Sequence, residues 1–470
     1  MLSSLVLLLI LTAHSYGETP AMKLILTKKA LQYGSQLGTQ WMQQKVQSVS
    51  IPQVQGSVSL GLLGNVDYVL SEMTVTRCIL PEPSVQFDEG TGGLQTAVTG
   101  LSIWVSGRWN THYGLIHDGG SFDLSLSNIG MSSAVKLGND HMGHLTISIA
   151  FCSARISDIT INVQGGGSLL FKPFVDRNKG QIKSQIEGKI CPEIRRLVED
   201  LTQHLTAMDV SVSVSHNLIM ELPLTSAPSV QSSNLHLDFK GEFYNAQHHT
   251  EPTFQAEPFT LTPHGDYMLH LGLSEFSVNS ASYAYFSAGL LQVQINDSMI
   301  PPSSPFHLNT SFFGSFIPQL PKMFPNMLME LHVVAREVPM FRFISDEVDL
   351  GLLASVKAFA IHPNKTLVPL FKLNINSSFT CKVFFSQGKM RGSAMMNTFT
   401  LALASSEVGI FQTTILENVM KIGMKTMFLP KLNAKLSEGT VLPSFHQLHL
   451  DNPVVKVEVG FVAISSDVTV

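Results

Sequence analysis

Charge is scarce in this chain. Asp, Glu, Lys and Arg make up 14% of its 470 residues, where about 25% is usual for a globular protein. The 30 Lys and Arg against 35 Asp and Glu leave a net charge of −5. That balance excludes the basic footprint a nucleic-acid binder needs to displace counterions from phosphates. Cysteine is also sparse. Cys78, Cys152, Cys191 and Cys381 form no CxxC pair, which excludes a zinc ribbon or a dithiol redox motif. A membrane anchor needs roughly 20 apolar residues in a row, and no stretch reaches that length without charges or prolines.

Catalytic signatures are missing too. The chain has no Gly-x-Ser-x-Gly elbow, no His-Glu-x-x-His and no Walker loop. Gly90-Thr91-Gly92-Gly93 looks like a phosphate loop, but Gln95 stands where the last glycine belongs and Asp88 and Glu89 precede it; it reads as a turn. The adjacent His248 and His249 point to opposite sides of an extended chain and read as part of a solvated linker. No acid/base pair can be nominated, so the expectation is that the protein is not an enzyme and has no metal site.

What is present is apolar and polar-neutral. Hydrophobic residues reach 44% and the mean hydropathy is +0.19, which excludes a disordered chain. Large buried apolar surfaces follow, with room for a cavity that takes an apolar ligand. Met1 to Gly17 reads as a secretory signal: Leu5 to Leu11 is an unbroken apolar core, and the small Ser15 and Gly17 precede Glu18. Four sequons begin at Asn296, Asn309, Asn364 and Asn376, all in the C-terminal half. In a secreted chain they are N-glycosylation candidates on loops or strand edges.

Period-2 alternation dominates the rest. Val210 to Ser215, Leu145 to Ile149, Ile159 to Val163 and Val455 to Val459 each place apolar residues on one face and polar ones on the other. Many such strands imply twisted antiparallel sheets or barrels that close their own edges. Three segments have helical spacing instead. The first runs from about Lys28 to Ser48. The second carries Ile182, Ile186, Ile190, Ile194, Leu197, Leu201, Leu205 and Met208, with a kink expected at Pro192. The third covers about Phe411 to Leu436, with a break expected at Pro430. Each is expected to lie as an amphipathic helix against a sheet. His248 to Pro263, with three prolines and no periodicity, marks a linker between the halves.

An ordered series of segments then carries a resemblance. It begins with Lys28-Lys29-Ala30-Leu31-Gln32-Tyr33-Gly34, Pro81-Glu82-Pro83, the hairpin Ser106-Gly107-Arg108-Trp109 to Phe122-Asp123-Leu124-Ser125, and Phe151-Cys152-Ser153. It continues through Lys240-Gly241-Glu242-Phe243-Tyr244, Met299-Ile300-Pro301, Phe312-Phe313-Gly314 and Phe324-Pro325-Asn326-Met327, and closes at Leu429 to Asn433 and Leu442-Pro443. The series resembles the bactericidal/permeability-increasing protein and lipopolysaccharide-binding protein family over essentially the whole mature chain.

The resemblance implies an α+β fold: an elongated boomerang of two barrels, each a highly twisted antiparallel sheet wrapped on a long helix, joined by a central sheet. The expected division is a signal peptide at 1–17, an N-terminal lipid-binding barrel at 18–225, a central strand and linker at 226–265, and a C-terminal barrel at 266–470. Each barrel is expected to hold a phospholipid, with no other cofactor. The resemblance also implies a disulfide between Cys152 and Cys191 and leaves Cys78 and Cys381 unmatched; these fall in different halves and read as free buried thiols, with a second bridge as the alternative. The implied partners are lipopolysaccharide or other bacterial lipids, phospholipids, and a host receptor or membrane surface met by the C-terminal half. The implied setting is extracellular, with granule storage as one route.

One feature departs from the family pattern. Members that bind lipopolysaccharide resemble one another in a basic N-terminal tip, because lipid A phosphates need several cations. Here residues 19–225 carry 15 Lys and Arg against 16 Asp and Glu, a net charge of −1. The densest basic stretch, Lys172 to Arg196, belongs mostly to the second helix and reads as its solvated face. At the tip, Lys45 and Arg108 are the expected phosphate contacts. Trp109 and Tyr113 are expected to enter the lipid interface, where amphipathic aromatics favour sitting; local packing of that hairpin end is the competing reading.

Overall fold

A computed structural model describes residues 18–46, 50–51, 53–59, 64–113, 116–263, 265–300, 306–439 and 449–469. The expected signal at Met1 to Gly17, Pro301, and the Leu442-Pro443 segment lie outside the described residues. Strand makes up roughly 51% and helix 24% of the protein, so the class is α+β with curled antiparallel sheets. The chain divides into two compact units. One comprises Leu26–Met208 and Ala227–Leu237; the other takes the chain up to Ile25, Asp209–Ser226 and Asp238–Val470.

The unit built on Leu26–Met208 opens with the helix Lys28–Val46 and centres on a seven-stranded antiparallel sheet. Its order is Ser50–Ile51, Asn65–Ile79, Gly93–Tyr113, Ile116–Asn139 and Leu145–Gln164. Val54–Ser59 adds beside Asn65–Ile79, and Ser84–Asp88 beside Gly93–Tyr113. Three of these strands run 21, 24 and 20 residues, far beyond the usual five or six. Strands of that length coil, and register shifts at Val98/Leu101, Leu101/Ile103 and Ala134/Val135 sharpen the bend.

The Gly165-Gly166-Gly167 turn then reverses the chain into the longest helix, Ser168–Thr206. Gly166 has φ 47°, and a Cβ there would overlap the Asp118 carboxylate, so the turn requires glycine. The helix begins 14 residues ahead of Ile182, the first residue of its apolar stripe. Asp176 to Gln181 supply no apolar residue to mark that stretch. It also continues without interruption through Pro192. Along Leu145–Gln164 it is tied at three places. Glu187 accepts from the Ile156 N–H at 2.6 Å, Cys191 is disulfide-bonded to Cys152, and Thr202 accepts from the Ile147 N–H at 3.2 Å while donating to its carbonyl.

In the other unit a six-stranded sheet runs Gln292–Asn296, Met329–Ala335, Glu347–Ile361, Leu367–Ser386 and Lys389–Ser406, with Met340–Ile344 pairing Glu347–Ile361. Its face carries the larger core, which includes Leu320, Met329, Val356, Leu370, Leu373 and Leu416. The C-terminal helical segment closes that core: Thr414–Gly423, a π-helical turn at Met424–Phe428, then Leu429–Glu438. The expected break at Pro430 is instead this widened turn, which accommodates a residue with no backbone N–H. Leu416, Met420, Met424, Leu432 and Leu436 face the core.

A further helix, Glu275–Ser287, escapes the apolar-stripe test because the residues it buries include Ser277, Asn279 and Ser280. From Ala246 to Met268 the described residues have no helix or strand, as the proline spacing anticipates.

Candidate lipid-binding site

In the strand Gly93–Tyr113 alternation sends Arg108, Asn110 and His112 to one face and Trp109 to the other. Trp109 does not reach a lipid interface. It is 4% exposed and packs with Met73, Val105 and Phe122. Its indole N–H is shared between the carbonyls of Ser121 at 3.1 Å and Gln164 at 3.3 Å. Gly120 lies directly opposite, and a Cβ there would overlap the Gln164 carbonyl and crowd the indole nitrogen. The buried ring needs a partner for its N–H, and the closed end of the sheet supplies two.

Arg108 is outside, 69% exposed, with its Nε 3.0 Å from the Glu72 carboxylate. Glu72 sits at a register irregularity between Ser71 and Thr74 with φ 54°, a conformation that turns its side chain toward Arg108's strand. So the cation expected to meet phosphate already has a carboxylate partner. Lys45 lies in the last turn of Lys28–Val46 and Tyr113 ends its strand; their side chains lie outside the described residues. The basic stretch of the long helix is a solvated face: Arg196 pairs with Glu193 at 2.9 Å and Asp200 at 3.0 Å.

The long helix carries the feature of most consequence for lipid. Ile182, Ile186 and Ile190 pack on Leu101, Leu126, Ile129, Ile156 and Ile159 of the sheet. Farther along the same stripe, Leu197 is 57% exposed and Leu201 47%, and Met208, just past the helix end at Thr206, is 49% exposed. Over the second half of the stripe Leu197 and Leu201 are open while Ile194 and Leu205 stay half-buried, and Thr202 holds this end of the helix to the sheet. A hydrocarbon chain is the kind of ligand such a strip accommodates.

Elsewhere the arrangement offers little chemistry. Among the described residues no three His, Cys, Asp or Glu side chains are grouped to hold a metal ion. A cavity of about 530 Å³ is lined by Asn245, Gln247, His248, His249, Thr250, Ser287 and Ala288. His249 stacks on Tyr244 with ring centroids 4.2 Å apart and lies 3.9 Å from Glu221. The lining is polar and unsuited to an acyl chain. Cys152 and Cys191 are joined, S–S 2.10 Å. Cys78 and Cys381 are unpaired, and burial pushes both thiols up, away from the reactive thiolate.

The sequon asparagines differ in setting. Asn296 accepts from the Ser298 hydroxyl at 2.6 Å, and Asn364 accepts from the Thr366 N–H and hydroxyl. Asn309 caps the Thr310–Gly314 helix through the Phe312 N–H. Asn376 accepts from Arg336 at 2.7 Å on a strand.

Comparison with known proteins decides the lineage. Residues 30–201 match the N-terminal domain of the LBP / BPI / CETP family, and residues 212–470 match its C-terminal domain. The chain belongs to this family. It is 34% identical over 453 residues to the bactericidal permeability-increasing protein of Sebastes schlegelii, covering 96% of this chain and 95% of that one. It is 27% identical to human lipopolysaccharide-binding protein, covering 99% and 96%. Among solved structures, the crystal structure of a lipopolysaccharide binding protein superposes with a TM-score of 0.57 at 25% identity, over 96% of this chain and 99% of that one. Two LBP / BPI / CETP domains in series account for the two helix-backed sheets. Among the described residues, no helix is long and apolar enough to cross a membrane.

Proposed function

We propose that this is a secreted lipid-binding protein of innate immunity. It takes lipopolysaccharide or related bacterial amphiphiles through the N-terminal unit and holds phospholipid acyl chains in apolar pockets, one in each barrel. Binding proceeds without catalysis, by burial of chains and contact with phosphates. The observation that carries this reading is the exposed pair Leu197 and Leu201 on the long helix, farther along the stripe that packs at Ile182, Ile186 and Ile190. Covering it with hydrocarbon contributes about 0.8 kcal/mol for each CH₂ removed from water. The names of the relatives, bactericidal permeability-increasing and lipopolysaccharide-binding proteins, support the ligand class. The C-terminal half, with its four sequons, then faces a host receptor or a membrane surface.

A second reading, a phospholipid or neutral-lipid transfer protein without endotoxin specificity, is favoured by one observation. The exposed cation of the tip hairpin, Arg108, is neutralised by Glu72. Salt separates the two, because phosphate contacts weaken with ionic strength and acyl burial does not. The test is the affinity of the secreted protein for lipopolysaccharide at two salt concentrations, with zwitterionic phospholipid vesicles in parallel. Preferential, salt-sensitive binding to lipopolysaccharide supports the first reading. Equal, salt-indifferent binding to both overturns it in favour of a carrier.

A further inference from the structure

On the outer face of the N-terminal unit's tip hairpin, two histidines meet across the strands. His112 is the penultimate residue of the strand Gly93–Tyr113 and His117 the second of Ile116–Asn139, and they are direct register partners. Their Nδ1 atoms lie 3.0 Å apart, with ring centroids at 4.3 Å and planes tilted by 59°. Both residues are exposed. His117 has an open flank, because pairing with Leu145–Gln164 starts only at Ser121.

We propose that His112 and His117 form a binding site for a divalent transition metal, zinc or copper. Two imidazole nitrogens on a tetrahedral zinc at ordinary bond lengths stand about 3.3 Å apart. Two in adjacent corners of a square-planar copper site stand about 2.8 Å apart. The observed 3.0 Å lies between these spacings, so the hairpin register already delivers most of the approach. A metal takes a lone pair from each Nδ1, so any proton carried on these two nitrogens is released to solvent on binding.

The surroundings favour a cation. Asp67 sits directly opposite His112 on the neighbouring strand, so its side chain leaves the sheet on the same face. Asp118, beside His117, is committed elsewhere: its carboxylate accepts from the backbone N–H groups of Gly119 and Gly167. Two protein ligands therefore leave the remaining coordination positions to water. The inference does not depend on what lipid the protein binds.

The test is titration of the full-length secreted protein with Zn²⁺ by calorimetry and with Cu²⁺ by electron paramagnetic resonance. The chain has 17 histidines, so the site must be resolved by variants. His112→Ala and His117→Ala should each lose one bound ion or weaken it at least tenfold, on the order of ligand-shell effects elsewhere. The double variant His248→Ala/His249→Ala should bind as the wild type does. In the unmodified protein, Zn²⁺ should protect His112 and His117 from diethylpyrocarbonate, read by mass spectrometry, which removes any dependence on variant folding. Undiminished binding by both hairpin variants, or no protection of these two residues, would overturn the proposal.

Discussion

Asn279 holds the backbone of Phe341 from both directions: its Nδ2 donates to the Phe341 carbonyl at 2.9 Å and its Oδ1 accepts from the Phe341 N–H at 2.7 Å. Phe341 lies on Met340–Ile344, which pairs with Glu347–Ile361 on one side. The helix Glu275–Ser287 finishes the other side, with Glu275 accepting from Phe343 and Ser282 donating to Pro339. A bare strand edge is a template for unwanted pairing, and here side-chain amide, carboxylate and hydroxyl groups satisfy it. Asn279→Ala strips two half-buried backbone groups of partners, and the expected loss is about 1–3 kcal/mol, read as an earlier urea midpoint. No change in midpoint would show that water substitutes for the amide.

Arg108 and Glu72 make an exposed pair, so neither is worth much to folding. Glu72→Gln and Arg108→Ala should each change stability by under about 1 kcal/mol. Their effects on lipopolysaccharide affinity should be opposite. Glu72→Gln frees the guanidinium and should tighten binding about two- to fivefold with a steeper salt dependence, the scale of one charge-assisted contact at a surface. Arg108→Ala should loosen it by a similar factor. Parallel shifts in the two variants would mean that Arg108 does not meet phosphate.

The two halves of the long helix's apolar stripe should separate stability from lipid capture. Ile186→Asn places a polar amide against the packed sheet residues and should cost about 2–4 kcal/mol. The double variant Leu197→Asn/Leu201→Asn touches exposed positions and should stay within about 1 kcal/mol of wild type. Yet it should leave less co-purifying phospholipid, measured by mass spectrometry of the organic extract. Equal lipid content in this variant and wild type would remove the stripe from the binding site.

Lys240 is surrounded by Glu221 at 2.9 Å, Glu242 at 3.1 Å and Glu18 at 3.6 Å. Burial opposes its charge, but the hydrogen bond to Glu221 and the field of Glu242 and Glu18 outweigh it and hold the ammonium above the ordinary lysine range. A cation with a raised folded-state pKa contributes its stability in full at neutral pH and loses it as pH climbs past the unfolded value of about 10.4. Alkaline unfolding should therefore begin in that window.

Lys240→Met leaves the nearly buried Glu242 uncompensated and should cost about 3–5 kcal/mol at pH 7. Burial already pushes the Glu242 carboxyl up, so this deficit should shrink on acidification, when Glu242 is protonated. A deficit that is flat in pH would assign the loss to packing. Denaturant unfolding of both proteins from pH 4 to 11 reads both effects.

Much of the fold is visible from residue spacing because its causes are local. Alternation along Leu145–Gln164 and Val455 to Val459 needs only the two-residue repeat of a strand, and the Ile182 to Met208 stripe needs only the helical repeat. The long helix's first 14 residues are not visible this way, since Asp176 to Gln181 lack apolar residues to extend the stripe. The helix Glu275–Ser287 hides for a different reason. Ser280 accepts from the Phe243 N–H and Ser277 donates to the Ala21 carbonyl, so its buried face is polar and meets backbone from distant segments.

By itself, the sequence determined the strand-rich class, the near-neutral charge of residues 19–225 and the opposite facing of Arg108 and Trp109. All of these follow from composition or from periods of two and 3.6 residues. Only the tertiary structure decided which of those two faces is inside, because the curl of the sheet puts Trp109 against Phe122 and Val105. It decided that Arg108 would find Glu72, which a register shift on another strand delivers. It also decided that Leu197 and Leu201 of the helical stripe stay open to solvent. Partners far apart in the chain meet only when long-range pairing has closed, and no local pattern encodes which of them will arrive.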